Sequence, residues 1–336
     1  MASNLSRRRA FLALGALGAP TIVPSLGRAQ ELPDKPVTIL VGFATGGGDD
    51  HLARTVAPRL EARVGRHVTV ETHAGNNGAL VGEALRKGPP DGSIIGCLPS
   101  GTIAARAVDT SYTFDPLTDF TPLSLAGTFP LALALSPRID VSNLTQYVEW
   151  LKGDDKSPLG DETRRRIGMA ASDAYLDVYL RLLRKELGTG LKGVSYRGDR
   201  PLLNDLRDNK IPAAIAGLPA ALEYHRGGKV KIVVVSADKR LPLAPTLQTA
   251  FEFGWTSLTM TEWYGFFAAA RTPAPIVERW NMHIRAVLAQ PETAAELTNV
   301  GIAVESSTPD ELGGRVTTAL QQWKDRMLAL GMQPPG

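Results

Sequence analysis

The stretch VTILVGFATGGGDDHLARTVAPRLEARVGRHVTVE, residues 37–71, decides the fold class. It begins with a β-branched run of strand length, Val37–Val41, and continues through a glycine-rich turn to Asp49, a residue type that favours helix starts. Apolar residues then recur every fourth position from Leu52 to Val64, which predicts the buried face of a helix. Because a second β-branched run, Val68–Glu71, follows directly, the stretch predicts a βαβ unit with parallel strands.

The rest of the chain repeats this alternation of short apolar runs and helical patterns. A capping box at Thr308–Glu311 predicts the start of a final helix that runs to about Leu330. The alternation predicts an α/β protein with parallel-rich sheets, in two blocks separated by Leu125–Pro137. The further predicted strands are Ile94–Leu98, Ile167–Ala171, Val194–Tyr196, Ile211–Ala216 and Lys231–Ser236.

Residues 1–29 have the three parts of a cleavable secretory signal. A basic start is followed by an uncharged apolar run, Ala10–Ala19, and by a small-residue site that predicts cleavage after Ala29 and export to the periplasm. The run is too short to span a membrane. The sequence RRAFL from Arg8 resembles a twin-arginine signal, and general secretion is the alternative route.

Charge and cysteine content exclude a nucleic-acid-binding protein and a protein with an intrachain disulfide. Cleavage after Ala29 removes four arginines and no acidic residue, which changes the net charge from +3 to −1. A nearly neutral body lacks the basic excess that nucleic-acid binding requires. Cys97 is the only cysteine, so no intrachain disulfide forms, and its apolar neighbours predict a small buried strand residue.

Four glycine-rich or small-residue loops follow predicted strands. Ligands of open parallel sheets bind outside the carboxyl ends of the strands, and N–H groups at helix starts bind anions. The loops therefore predict an anion site without basic side chains, and the alternative is that their glycines only permit tight turns. The four loops are Phe43–Asp49, Ala74–Gly78, Pro99–Thr102 and Ala171–Asp173.

Enzyme signatures are missing from the sequence. It contains no G-x-x-x-x-G-K-[ST] phosphate loop and no G-x-S-x-G nucleophile elbow, and no two of its five histidines have the H-x-x-x-H spacing of a metal site. We therefore expect no catalytic residue, no metal and no cofactor.

At these loops the sequence resembles the substrate-binding receptors of the tripartite tricarboxylate transporter family, also called Bug receptors. Phe43–Arg54 is similar to the family's F-P-P-G-G-A-T-D opening, and Thr72–Gly78 is similar to its N-R-P-G-A-G-G loop. Further matches follow in the family's order, and the resemblance covers essentially all of residues 31–333. These matches are Gly88–Ser93, Tyr196–Gly198, Gly217–Leu222, Trp263–Gly265 and Ala270–Pro273.

The resemblance implies a two-lobed periplasmic binding protein fold of type II, with residues 30–130 plus 250–336 in the first lobe and 131–249 in the second. It also implies a monomeric receptor that passes a small carboxylate to integral-membrane permease subunits. Its implied ligand contacts are Phe43, Thr45, Gly46, Gly47, Asn77, Ser100 and Thr102 on the proximal side, and Ala171, Ser172, Asp173 and Ala174 on the distal side.

The sequence departs from the family pattern on the distal side, where the family has G-N-G-T-S-S-H and this chain has the run that begins at Ala171. An acidic Asp173 there favours a ligand with one carboxylate and one nitrogen donor, such as an amino acid or a nitrogen-containing aromatic acid. The alternative is that Asp173 only stabilises the start of its helix.

Two other functions remain compatible with the sequence. A co-receptor that reports its ligand to a membrane sensor kinase would share these residues and differ only in its partner. An exported α/β hydrolase is the second alternative, and measurable turnover would distinguish it from a receptor.

Overall fold

The computed structural model describes residues 32–153 and 160–335. The predicted signal, residues 1–29, lies outside the described residues. Within the two described ranges, no helix combines the length and the apolar character that a membrane crossing requires.

The described residues contain nine strands and eleven α-helices. The strands are β1 (Val37–Val41), β2 (Val68–Thr72), β3 (Ile94–Pro99), β4 (Phe120–Leu135), β5 (Arg166–Met169), β6 (Lys192–Ser195), β7 (Ala213–Gly217), β8 (Lys231–Val235) and β9 (Thr261–Ala269). The helices are α1 (Gly48–Val64), α2 (Ala79–Lys87), α3 (Ser100–Ala105), α4 (Leu144–Lys152), α5 (Gly160–Arg164), α6 (Asp173–Leu187), α7 (Asp199–Arg207), α8 (Leu218–Arg226), α9 (Ala274–Leu288), α10 (Pro291–Asn299) and α11 (Pro309–Ala329).

The strands form one mixed sheet in the order β2-β1-β3-β9-β4-β7-β5-β6, with β8 paired to β4. The β1, β2 and β3 strands are parallel to one another, and so are β5, β6 and β7. The two parallel groups are joined through β9 and β4, which pair antiparallel to their neighbours. The predicted α/β class is therefore confirmed, with two antiparallel strands added to the predicted parallel groups.

Strand β4 connects the two groups of strands. Its first part, residues 120–130, pairs with β9, and its last part, residues 131–135, pairs with β7 and β8. Two register shifts interrupt its pairing with β9, and such bulges bend a strand. Most of Leu125–Pro137, which separates the two blocks in the sequence, is thus the strand that spans the sheet.

The apolar runs identified in the sequence form the core. Four of the five residues of β1 are buried, as expected for a strand covered by helices on both faces. Cys97 is fully buried in β3, which confirms the prediction for this residue. The predicted capping box is also confirmed, because the Thr308 hydroxyl accepts the Glu311 N–H while the Glu311 carboxylate accepts the Thr308 N–H.

The strand pairing brings the carboxyl ends of both parallel groups to the middle of β4. At the end of β3, Pro99 pairs with Tyr264 of β9, which in turn pairs with Gly127 of β4. At the end of β7, Gly217 pairs with Leu131 of β4. Because the two groups run in opposite directions, their carboxyl ends face each other across residues 127–131 of β4.

Candidate functional site

A cavity lies where the carboxyl ends of the two strand groups face each other, and we call it the central cavity. Residues from both groups line it, together with residues of β4 and β9. The lining residues are Phe43, Gly47, Gly48, Asp49, Asn77, Pro99, Gly101, Phe129, Leu131, Met169, Ala170, Tyr175, Asp199, Ile215, Gly217, Glu262 and Tyr264. None of these is Lys, Arg or His.

Two stacked aromatic rings form part of the cavity wall. The rings of Phe129 and Tyr264 are nearly parallel, with centroids 4.4 Å apart. The Tyr264 hydroxyl lies against the start of α1, where a Cβ atom on Gly48 would be 2.1 Å from the Tyr264 oxygen. Glycine at position 48 therefore permits a close approach that any other residue would prevent.

Protein carboxylates already accept the N–H groups of the loop before α1. The Asp49 carboxylate accepts the N–H groups of Gly42 at 3.1 Å and Phe43 at 3.2 Å. The Asp50 carboxylate accepts the Gly46 N–H at 2.9 Å, and the Gly47 N–H donates to a carbonyl oxygen within the same loop at 3.2 Å. Two carboxylates from the first turn of α1 thus take up three N–H groups between β1 and α1.

The structure separates the four proximal contacts predicted in this loop. Phe43 and Gly47 line the central cavity, whereas Thr45 and Gly46 do not. Thr45 is exposed, and Gly46 contacts the Arg200 side chain.

The loop after β2 and the helix α3 hold Asn77 in the wall of the cavity. Asn77 has left-handed backbone angles, φ 51° and ψ 42°, which asparagine tolerates better than most residues. Its carbonyl accepts the Thr102 hydroxyl at 2.8 Å, and its side-chain amide donates to the Gly101 carbonyl at 3.4 Å. The predicted contact Thr102 is therefore buried behind Asn77 and supports it.

The predicted contact Ser100 is also buried, beside Glu262. Its hydroxyl donates to the Glu262 carboxylate and accepts the Trp263 N–H at 2.9 Å. Burial raises the pKa of Glu262 above its usual value, and the Ser100 hydroxyl opposes this rise. Glu262 lines both the central cavity and a surface pocket beside α11, whereas Ser100 lines the surface pocket and not the central cavity.

Two aspartates face the same part of the cavity from opposite sides. Asp49 is 2% exposed, and burial raises its pKa from 3.8 to about 7. Asp199 begins α7 and accepts the Gly217 N–H at 3.3 Å. Although Asp199 keeps a partly accessible surface, burial and, to a smaller extent, the charge of Asp49 raise its pKa to about 7.

The four predicted distal residues lie in a neighbouring groove, which we call the outer groove. Ala171, Ser172, Asp173 and Ala174 line it, and Asn77 borders both the groove and the central cavity. The Ser172 hydroxyl caps α6 by accepting the Tyr175 N–H at 3.3 Å. The Asp173 side chain is exposed and accepts the hydroxyl of Ser195.

The sequence did not indicate four polar residues of the cavity, namely Tyr175, Asp199, Glu262 and Tyr264. They lie between 126 and 215 residues from Asp49 along the chain, so no local spacing connects them. The one available signal is that Asp199 and Tyr264 follow or belong to the family motifs at Tyr196–Gly198 and Trp263–Gly265. Among the described residues, no three His, Cys, Asp or Glu side chains are grouped as a metal site would require.

Comparisons with known proteins identify the family of the chain. The family model described as tripartite tricarboxylate transporter family receptor matches residues 52–331. The chain is similar to Protein BugT of Bordetella pertussis, with 26% identity over 317 residues that cover 93% of each chain. It is 28% identical to a UPF0065 protein of Agrobacterium vitis over 303 residues, which cover 89% of this chain and 86% of that protein.

Solved structures show the same fold. Periplasmic binding protein BugD shares 25% identity with the chain at a TM-score of 0.82, and the match covers 90% of this chain and 99% of BugD. MatC from Rhodopseudomonas palustris, solved with bound malate, shares 26% identity at a TM-score of 0.80, over 88% of this chain and 99% of MatC. These similarities confirm the predicted periplasmic binding protein fold.

Proposed function

Because the chain belongs to the tripartite tricarboxylate transporter receptor family, we propose that it captures a small organic carboxylate in the central cavity and delivers it to integral-membrane permease subunits. The resemblance in the sequence motifs predicts this family, and the family match confirms it. We propose a monomeric receptor that releases its ligand unchanged, without catalysis.

The observation that carries this proposal is the position of the cavity. Its walls come from loops at the carboxyl ends of both strand groups, and ligands of α/β sheets bind at such ends. We propose that residues 30–130 plus 250–336 and residues 131–249 act as two lobes that close on the ligand at this place. MatC, a structural relative, was solved with the dicarboxylate malate, which supports a ligand of this class.

We place the ligand between the central cavity and the outer groove, with Asn77 at the junction of the two. Helix α6 begins in the outer groove at Asp173. The Ser172 hydroxyl accepts the Tyr175 N–H, and the N–H groups of Asp173 and Ala174 have no acceptor within the helix. Such N–H groups and the helix dipole favour an anion, so we assign the ligand carboxylate to this end. The Asn77 amide adds a side-chain donor on the facing side.

Isothermal titration with malate and a panel of small mono- and dicarboxylates tests the proposal. We expect at least one acid to bind, and we expect Asn77→Gly to weaken its binding about tenfold, since glycine keeps the left-handed backbone but removes the amide. Asn209→Gly is the matched control, because Asn209 also has a positive φ, 63°, and does not line the central cavity or the outer groove. If no acid binds to the folded protein, the proposal is wrong.

We further propose that the protein is exported and acts in the periplasm, with its signal cleaved after Ala29. N-terminal analysis of the exported protein would find Gln30 first if this is right, and an intact Met1 in the periplasmic fraction would contradict it. Replacement of Arg8 and Arg9 by lysine is expected to block export by the twin-arginine route and to leave general secretion intact.

A further inference from the structure

The charge of the central cavity is unusual for a site that takes a carboxylate. Three carboxyl side chains, those of Asp49, Asp199 and Glu262, line it, and no Lys, Arg or His is among its lining residues. Above about pH 7, where Asp49 and Asp199 are ionised, a ligand carboxylate placed beside them would meet like charges among buried groups, where repulsion is strong. A part of the ligand other than its carboxylate therefore faces them.

The loop before α1 offers little to an anion for a second reason. The N–H groups of Gly42 and Phe43 donate to Asp49, and that of Gly46 donates to Asp50. The Asp49 carboxylate is 2% exposed and accepts N–H groups between β1 and α1 that a ligand carboxylate would otherwise accept. The loop before α1 therefore faces two carboxylates of the protein, which already accept three of its N–H groups.

Two tyrosine hydroxyls give an independent indication of a ligand. Tyr175 and Tyr264 are 2% and 4% exposed, and both line the cavity. The structure shows no hydrogen-bond partner for either hydroxyl among the described residues. Because buried tyrosine hydroxyls are usually paired, a group in the cavity is the natural partner. Burial raises the pKa of the Tyr264 hydroxyl above its usual value, and the charges of Asp49 and Asp199 raise it further.

We propose that the ligand presents an ammonium group to Asp49 and Asp199, with the Tyr264 hydroxyl as a third acceptor. The inference rests on the proposed carboxylate receptor and narrows its ligand to a zwitterionic, amino-acid-like molecule. An ammonium group has three N–H donors and one positive charge, so it can donate to both carboxylates and offsets part of the repulsion between Asp49 and Asp199. The ligand carboxylate then points away from them, toward the start of α6.

Matched pairs of acids that differ only by an amino group test this inference. The pairs are succinate and aspartate, glutarate and glutamate, and butanoate and 4-aminobutanoate. At pH 8 we expect the amino member of at least one pair to bind at least tenfold more tightly than its nitrogen-free twin in isothermal titration. If nitrogen-free acids bind as tightly as their twins in every pair, the inference is wrong and the proposed function stands. If no acid of either kind binds, the proposed function itself fails, and the inference with it.

The variant Asp199→Asn tests whether the preference for the amino member of a pair depends on Asp49 and Asp199. It keeps the acceptor for the Gly217 N–H and removes the charge, so we expect the amino acid to lose tenfold or more in affinity and its twin to change less than twofold. Asp208→Asn, at the other end of α7, is the matched control, because Asp208 is exposed and pairs with Arg207. An Asp199→Asn protein that folds and keeps the amino acid's full advantage would overturn the assignment.

The pH dependence separates the ammonium from a rival arrangement, in which protonated aspartates donate to a ligand carboxylate. Binding of an ammonium requires ionised aspartates, and burial raises the pKa of both Asp49 and Asp199 to about 7. The affinity of the amino ligand is therefore expected to fall between pH 8 and pH 6. Protonated aspartates would give the opposite trend. The titratable groups that interact with the pair are Asp50, Cys97 and Tyr264, and Glu262 interacts with Tyr264. An affinity that rises on acidification would contradict the ammonium.

Discussion

The starts of α1 and α6 differ in what their aspartates do, although the two segments look alike in the sequence. Each helix follows a strand of a parallel group and has an aspartate in its first turn, Asp49 in α1 and Asp173 in α6. Asp49 is buried and accepts two loop N–H groups. Asp173 is exposed, and its carboxylate accepts the hydroxyl of Ser195.

The residue before each helix explains the difference. Ser172 precedes α6 and caps it with its own hydroxyl, which leaves Asp173 free to turn to the surface. Gly47 precedes α1 and has no side chain, so Asp49 and Asp50 reach back to the N–H groups of the loop instead. At α1, where the cap residue is glycine, the next carboxylates accept the loop N–H groups. At α6, where the cap residue is serine, its hydroxyl caps the helix and the next carboxylate is exposed.

The largest expected effect comes from Gly48→Ala, a change at the first residue of α1. The added Cβ would lie 2.1 Å from the Tyr264 oxygen and 3.1 Å from a carbon of Pro219 in α8, so both neighbours must move. We expect the tightest-binding acid of the six to lose about 100-fold in affinity, which corresponds to about 2.7 kcal/mol. Isothermal titration at pH 8 measures this loss.

Gly314→Ala provides the control for that variant. Gly314 lies inside α11, and its added Cβ would meet no atom within 4 Å. We expect unchanged affinity and a gain in the free energy of unfolding of up to about 1 kcal/mol, since alanine favours helices more than glycine does. Equal affinities of the two variants would show that the contact between Gly48 and Tyr264 has no part in binding.

A smaller effect, on stability, is expected for Asp199→Asn without ligand. The pKa of Asp199 is raised by burial to about 7, so the folded protein binds a proton here more tightly than the unfolded chain does. Its carboxyl therefore costs no stability below about pH 4, costs progressively more as the pH rises to about 7, and costs the full amount above that.

The asparagine variant does not titrate, so it is expected to be more stable than the original protein at pH 8 and equally stable near pH 4. Because part of Asp199 is accessible, we expect a gain at pH 8 of about 1–2 kcal/mol rather than the ~4 kcal/mol of a dry site. Urea unfolding at both pH values measures it. A variant that is less stable at pH 8 would show that the carboxylate is stabilised in the free protein.

Local sequence patterns were sufficient to predict the parallel strands and the helix caps. They were not sufficient to predict β4 and β9, the strands that join the two parallel groups. The run Phe120–Leu135 has apolar residues on both faces and contains the segment that separates the two blocks in the sequence. Its partner β9 lies more than 120 residues further along the chain, and an antiparallel pair that distant has no sequence spacing by which to recognise it. The order of the sheet therefore depends on tertiary pairing.

The same limit applies to the candidate site. The loops Phe43–Asp49 and Ala74–Gly78 were identified from the sequence, because a glycine turn after a strand is a local signal. That the N–H groups of the first loop are taken up by Asp49 and Asp50 depends on side-chain direction, which the sequence does not specify. The facing Asp199 comes from the other strand group, so only the fold brings it to Asp49.

The smallest effect is expected on the α6 side, for Asp173→Asn. Asp173 is exposed and lies in the first turn of α6. Loss of its negative charge is therefore expected to lower the free energy of unfolding by about 0.3–1 kcal/mol at low salt. Since we place the ammonium at Asp49 and Asp199, we expect the ranking of the six acids in a thermal-shift screen to stay the same. If Asp173→Asn reverses the ranking while Asp199→Asn does not, the nitrogen end of the ligand lies in the outer groove, and the two helix starts have the opposite roles.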